Sequence, residues 1–203
     1  MRVIVTGSSG KIGREAMRAL KAAGHRPLGL DVRPSPDGAR TVPVDCADFG
    51  EVMGAFSAID TAGGVPDAVV HLAGIPAPGL ANDARIFQVN TLSTYNVFSA
   101  CARLGIQRIV WASSETLFGL PFTTPPDYLP VDEDHEVRPE WSYSLSKQMG
   151  EAMADQFARW HPAMTIVSLR FSNVFSDADY AQLAAIHARP EARKMNLWGY
   201  VDA

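Results

Sequence analysis

Hydrophobic and polar positions alternate along this chain in blocks that predict strand, turn and helix in repeated succession. Val3-Ile4-Val5 is a short β-branched run ending in glycines. Beyond it Ile12, Ala16, Leu20 and Ala23 recur at helical steps until Gly24. Pro27 to Asp31 reads as a second strand, Pro34 to Gly38 as a turn, and Thr41 to Val44 as a third strand. Asp48 is placed to cap a helix from Phe49 to Ile59. Asp67 to Gly74 is an apolar run breaking into small residues. Asn82 opens a long helix that Gly105 ends, and Ile109 to Ala112 is a fifth strand running into Ser113-Ser114-Glu115. Residues 117–141, with five prolines, read as loop; Ser142 is expected to cap a helix reaching His161, and Thr165 to Phe171 is a sixth strand. Strands alternating with helices predict an α/β fold, a doubly wound parallel sheet.

Composition narrows the picture. With 203 residues and 47% hydrophobic content, the chain can bury a core of one domain or slightly more. The net charge of −4, without a basic stripe, argues against nucleic acid and anionic membrane as partners. The first strand starts at once, so no signal peptide is expected, and no apolar run approaches the length of a membrane span. Cys46 and Cys101 show no metal spacing and read as free thiols, which fits a cytoplasmic protein.

The glycine turn carries the first chemistry. Between a strand and a helix, Gly7-x-x-Gly10-x-x-Gly13 would present free N–H groups and the positive helix end to a phosphate. Gly7 suits the turn, Gly10 a close approach to a pyrophosphate, and Gly13 close packing of helix on strand. The spacing differs from G-x-G-x-x-G. It is also not a P-loop, which would need glycine at Val5 and Ser or Thr at Ile12. Asp31, about twenty residues on, is placed to accept from both ribose hydroxyls and to repel an added phosphate. NAD is therefore expected over NADP, although Arg33 keeps NADP as the lesser alternative.

Tyr143 and Lys147 are four residues apart and share a helix face. Bringing a tyrosine pKa from about 10 to about 7 takes ~4 kcal/mol, and an ammonium ~4 Å away at an effective dielectric near 20 supplies roughly that. A Tyr-Lys pair beside NAD would be a proton acceptor coupled to hydride transfer, with Ser114 hydrogen-bonding the reacting oxygen. His71, at a strand end without a sequence partner, reads as structural. Asn90, a poor helix former inside a helix, reads as a brace for backbone near the site.

Taken in order, Gly7-x-x-Gly10-x-x-Gly13, Asp31, His71-Leu72-Ala73-Gly74, Ser113-Ser114-Glu115-Thr116-Leu117-Phe118-Gly119, Tyr143-x-x-x-Lys147 and Arg170-Phe171-Ser172-Asn173 resemble the extended short-chain dehydrogenase/reductases, the NAD-dependent epimerase/dehydratase family. The resemblance implies a Rossmann-like sheet and a catalytic Ser114, Tyr143 and Lys147. It implies an NAD site lined by Gly7, Ser9, Gly10, Lys11, Ile12, Gly13, Asp31, Asp45, Cys46, Leu72, Ala73, Gly74 and Asn90, with Tyr143 and Lys147 at its nicotinamide end. Ser114, Glu115 and Asn173 would meet the substrate, and no metal is implied. Glu115-Thr116 stands where dehydratases of the family carry Asp-Glu, which disfavours elimination of water. The family usually continues beyond Tyr200-Val201-Asp202, so residues 1–175 are expected to form the NAD-binding domain and 176–203 the start of a truncated substrate region. The expected activity is on a sugar or nucleotide-sugar hydroxyl, as an epimerase or, alternatively, a sugar or uronate dehydrogenase. A non-catalytic NAD-binding sensor or scaffold is the alternative of another class. A homodimer through the helices at 82–104 and 142–161 would fit the family.

Overall fold

The structure, a computed structural model, describes residues 1–57, 64–181 and 183–203. Six parallel strands form the main sheet: β1 (Arg2–Thr6), β2 (Arg26–Asp31), β3 (Thr41–Pro43), β4 (Ala68–His71), β5 (Arg108–Ser114) and β6 (Thr165–Phe171). Their spatial order is β3-β2-β1-β4-β5-β6, the doubly wound arrangement that the alternating pattern predicts. Strand order reverses between β1 and β4, which pair from Val3–Ala68 to Thr6–His71. Their carboxyl ends open the crevice where such sheets bind ligands.

The helices are α1 (Lys11–Ala22), α2 (Phe49–Phe56), α3 (Asp83–Leu104) and α4 (Ser142–Trp160), with two short ones, α5 (Asp177–Tyr180) and α6 (Leu183–His187), near the C-terminus. Local chemistry sets several boundaries. The Asp48 carboxylate accepts from Glu51 N–H at the start of α2, and the Asn82 side chain accepts from Arg85 N–H at the start of α3. Gly105 closes α3 in the left-handed conformation. α2 ends at Phe56, and the expected end at Ile59 lies outside the described residues.

Ser142 is not the cap expected of it. Trp141 is the N-cap of α4, while the Ser142 hydroxyl donates to Asp83 at 2.9 Å, joining the starts of α3 and α4. Ser144 instead sits within reach of the helix start, its hydroxyl accepting from Trp141 N–H at 3.3 Å.

Ile4, Leu30, Val69, Ile109 and Trp111 face the row α2, α3 and α4 and make the main core with Val52, Phe56, Val97, Phe98 and Phe157. Phe98 meets Trp111 and Phe157 edge-on, with ring centroids 6.0 and 5.8 Å apart. Gly150 brings α4 onto Trp111, since a Cβ there would lie 2.4 Å from the indole.

The segment 117–141 is less open than its prolines suggest. It starts in a 3₁₀ turn (Glu115–Phe118), and Phe118, Leu120 and Phe122 bury themselves against Val131, Met195 and Leu197. His135 is enclosed by the rings of Phe118, Phe122 and Tyr128. The C-terminal residues add a two-stranded pair, β7 (Val174–Phe175) with β8 (Val201–Asp202), in which Phe175 and Tyr200 stack at 4.9 Å.

Candidate active site

The glycine turn fits between β1 and β4 by contacts that leave no room for side chains. Gly7 has φ +69°, and a Cβ on it would strike Ala73 N and the Leu72 carbonyl carbon at 2.7 Å. A Cβ on Gly13 would lie 2.1 Å from the Gly7 carbonyl oxygen, so α1 rests directly on the turn. Gly10 differs: a Cβ there meets only Gly7 O, at 3.2 Å, and its other side is clear. Gly10 is the N-cap of α1, with no side-chain cap and no acid in the first turn, so the first N–H groups of the helix and its positive end are offered outward. Such a cradle fits a dinucleotide pyrophosphate.

Asp31, ending β2, is held by two backbone donors. Ser9 N–H donates to one carboxylate oxygen and Arg33 N–H to the other, each at 3.0 Å. Two of roughly four acceptor positions are thus used, leaving others for ribose hydroxyls. The Ser9 hydroxyl turns away to Arg33 O at 2.8 Å. The Lys11 ammonium turns away from the cradle, donating to Val174 O at 3.0 Å and to the Asp179 carboxylate at 2.6 Å, so Lys11 faces the cradle through its backbone. Lys11 and the Ser176 hydroxyl and N–H hold the Asp179 carboxyl well below the usual range.

Thr6, which sequence reading passed over, joins β1 to β4. Its hydroxyl accepts from Leu72 and Ala73 N–H, both at 3.2 Å, and lies 2.7 Å from His71 Nδ1. Thr94 donates to Asn90 O at 2.9 Å, which leaves its oxygen to accept from His71 Nε2 at 3.4 Å. That pattern assigns His71 as neutral, protonated on Nε2, with Thr6 donating to Nδ1. Burial, helped by Lys147, pushes its pKa down to about 3, which suits a structural residue and not a base. Asn90 braces backbone as expected: it accepts from Ile75 N–H at 2.7 Å, donates to Ile75 O at 3.1 Å, and reaches Ser146 at 3.3 Å. Gly74 packs on this amide, a Cβ there falling 2.9 Å from its oxygen.

Asp45 and Cys46 differ in what they offer. The Cys46 thiol points into the core, where burial raises its pKa to about 12, and its carbonyl accepts from Asn96. Asp45 remains partly open, its carboxylate accepting from Ala47 N–H.

β5 and α4 bring Ser114, Tyr143 and Lys147 together, all three buried. Lys147 donates to Ala112 O at 2.7 Å, and its nitrogen lies 5.6 Å from the Tyr143 ring centroid and 5.4 Å from that of Trp111. Burial without a carboxylate partner lowers the Lys147 pKa to about 8. Tyr143 runs against the expectation of a lowered pKa. Burial raises it, and hydrogen bonding to Ser114 only partly opposes this. Loss of water around the phenolate is the larger effect. The Ser114 hydroxyl also accepts from Thr116 N–H and Oγ1 at 3.2 and 3.0 Å.

Glu115 lies beside Ser114. Burial raises its carboxyl pKa while Ser172 and Arg193 draw it down. The Asn173 side chain donates to Gly199 O at 3.3 Å, so in this structure it fastens the C-terminal segment. Arg193 meets the same carbonyl at 3.1 Å. Neither Ser172 nor Arg193 was visible as a site residue in the sequence: Ser172 comes beside Glu115 through the pairing of β5 with β6, in register at Ser114–Phe171, and Arg193 through the return of residues 190–202. No cluster of three or more His, Cys, Asp or Glu suited to a metal occurs among the described residues.

With this geometry in hand, the relatives are informative. The model of the NAD-dependent epimerase/dehydratase family matches residues 3–199. The L-arabinose 1-dehydrogenase (NAD(P)(+)) of Haloferax volcanii is 32% identical over 177 residues, covering 83% of this chain and 65% of that protein. The UDP-glucose 4-epimerase of Azospirillum brasilense is 28% identical over 177 residues, 85% of this chain and 49% of that one. A short-chain dehydrogenase/reductase superfamily protein from Agrobacterium tumefaciens, crystallised with NAD, aligns with TM-score 0.75 and 30% identity over 97% of this chain and 61% of that chain. The chain spans about half to two thirds of the length of these relatives.

Proposed function

The chain belongs to the NAD-dependent epimerase/dehydratase family, and on that premise we propose that it binds NAD and oxidises a hydroxyl of a sugar or nucleotide-sugar, acting as an epimerase. The observation that carries this reading is the convergence of buried Ser114, at the end of β5, with Tyr143 and Lys147 of α4, on the parallel sheet whose β1 ends in the glycine cradle. A cofactor-binding sensor or scaffold needs the cradle and Asp31 but not this trio.

In this reading the free amides at the start of α1 hold the pyrophosphate, which Gly10 lets approach closely, and Asp31 holds the adenosine ribose, which favours NAD over NADP. Lys147 holds the nicotinamide ribose. NAD, when bound, supplies the hydride acceptor and a positive ring. Ser114 hydrogen-bonds the substrate oxygen, and Tyr143, as phenolate, takes the proton of that substrate hydroxyl. Because burial alone raises the Tyr143 pKa, the acceptor form needs positive charge in the filled site. Glu115, with Ser172 and Arg193 next to it, borders the place where substrate hydroxyls would lie.

A dehydrogenase is the second reading, supported by the likeness to the arabinose enzyme. The two readings differ in product: an inverted sugar in one, an oxidised sugar in the other. Residues 1–175 form the NAD-binding domain in this proposal and 176–203 begin a substrate region. No helix among the described residues is long and apolar enough to cross a membrane. We place the protein in the cytoplasm, without nucleic acid or membrane partners, and as a homodimer through α3 and α4. Leu92, Tyr95 and Leu145 on those helices are 40, 46 and 40% exposed, which suits such a face.

The test is incubation with NAD+ and a panel of aldoses, uronic acids and nucleotide-sugars, following reduced nicotinamide absorbance and analysing the sugars. Inverted sugar without net NADH supports the epimerase, and stoichiometric NADH with an oxidised sugar replaces it by the dehydrogenase. Tyr143→Phe should abolish either product with NAD affinity intact. Tight NAD binding with no product from any substrate would favour the sensor.

A further inference from the structure

Behind the catalytic trio lies a second polar cluster that the proposed reaction does not use. Glu151 sits one helical turn after Lys147 on α4, and both side chains reach the same strand. Lys147 donates to Ala112 O on β5, and the next residue of β5, Ser113, donates its hydroxyl proton to Glu151 at 2.5 Å. Arg170, near the end of β6, grips Glu151 with two donors, Nε at 3.0 Å on one oxygen and Nη2 at 2.8 Å on the other. Its third nitrogen donates to Glu133 O at 3.1 Å in the proline-rich segment, and its guanidinium lies 4.8 Å from the centre of the Phe118 ring. Each side chain of the pair is 21% exposed, a setting in which a bidentate pair holds its geometry better than a surface one.

We propose that Glu151 and Arg170 are positioning residues for proton transfer: together they fix Ser114 on β5 against Tyr143 on α4, and Arg170 keeps the Glu151 carboxylate off the Lys147 ammonium. The inference rests on the reaction proposed above. Ala112, Ser113 and Ser114 are consecutive, and each is fastened to the proton machinery or to its support, so a shift of Ser113 moves Ser114 with it. Glu151 has the i,i+4 spacing at which a carboxylate pairs with a lysine on its own helix. Here the two-pronged Arg170, with the Ser113 hydroxyl beside it, holds it elsewhere. The charged and titratable groups around this centre are Tyr143 and Lys147 on α4, His71 on β4, Glu115 in the 3₁₀ turn, Arg170 on β6 and Glu133 in the proline-rich segment.

Arg170→Met, Arg170→Lys and the double variant Glu151→Gln/Arg170→Met would be compared with the parent for kcat, KM, NAD affinity and melting temperature. The ionisation of Tyr143 would be followed in the NAD complex by tyrosinate absorbance, with Tyr143→Phe as the blank. Arg170→Met should lower kcat about tenfold or more with NAD affinity within about twofold, because an ångström-scale displacement at the reacting groups costs rate before binding. Its freed carboxylate should shift the Tyr143 titration and the acidic limb of kcat upward by about half to one pH unit. The double variant should reverse that shift while kcat stays reduced, and Arg170→Lys should keep the parent's titration with an intermediate kcat. A parent-like kcat and titration in folded Arg170→Met would overturn the inference, leaving the pair a stability element. If Arg170→Met does not fold, the double variant and Arg170→Lys decide: parent-like kcat in both overturns it. Should Tyr143→Phe retain turnover, the reaction itself is misread, a failure the tyrosinate titration of Arg170 variants does not share.

Discussion

His71 makes the chain sensitive to mild acid in a way that can be worked out from its surroundings. The imidazole is completely enclosed between Thr6 and Thr94, and burial takes its pKa from an ordinary 6.5 down to about 3. The unfolded chain therefore binds this proton first. The stability tied to neutral His71 is complete above pH 6.5 and is lost progressively as pH falls from 6.5 toward 3. One proton costs about 1.4 kcal/mol per pH unit across that window, so lowering the pH from 7.5 to 5.0 should remove ~2 kcal/mol. With a urea slope near 2 kcal/mol per molar, the unfolding midpoint should move by about 1 M. His71→Gln keeps an amide able to bond Thr6 or Thr94 but cannot titrate. It should be less stable than the parent at pH 7.5, yet lose ~2 kcal/mol less on going to pH 5.0. The comparison cancels carboxylates such as Glu115, Asp37 and Asp67, which titrate alike in both proteins. Urea titrations at the two pH values, monitored by tryptophan fluorescence, measure it. Equal losses in parent and variant would refute the reasoning and mean that His71 is solvated or charged in the native state.

The glycine turn should separate fold from ligand. Gly10→Ala adds a methyl that meets only Gly7 O, so stability should stay within about 1 kcal/mol of the parent while NAD affinity, by titration calorimetry, falls at least tenfold. Gly13→Ala drives its methyl onto the Gly7 carbonyl, and should cost ~1–3 kcal/mol of stability as well as NAD binding. Cys46 and Cys101 are buried with raised pKa values, so a thiol reagent at pH 8 should label neither in the native chain within minutes and both after denaturation. Rapid native labelling would place one thiol near the surface.

Several features were readable from the sequence because they are settled within a few residues. The caps Asp48 and Asn82 satisfy N–H groups three positions away, and Gly105 ends α3 through its own backbone. Val3 to Val5 running into three spaced glycines fixes the strand, turn and helix that hold the cradle, and apolar periodicity orders the six strands and the helices between them. Tyr143 and Lys147 share a face because an α-helix brings every fourth residue round. Tertiary structure decided what those side chains meet. Lys11 could face a phosphate until Asp179, 168 residues later, takes its ammonium. Ser142 looks like a cap until Asp83 claims its hydroxyl, and Arg170 and Glu151 find each other across two elements. Whether Tyr143 is easier or harder to ionise depends on desolvation, which is the sum of everything packed around it from β5, α4 and the 3₁₀ turn. Covalent neighbours and helical geometry act over a turn or two and are written in the chain. Burial and long-range partners exist only after the sheet has brought distant segments together.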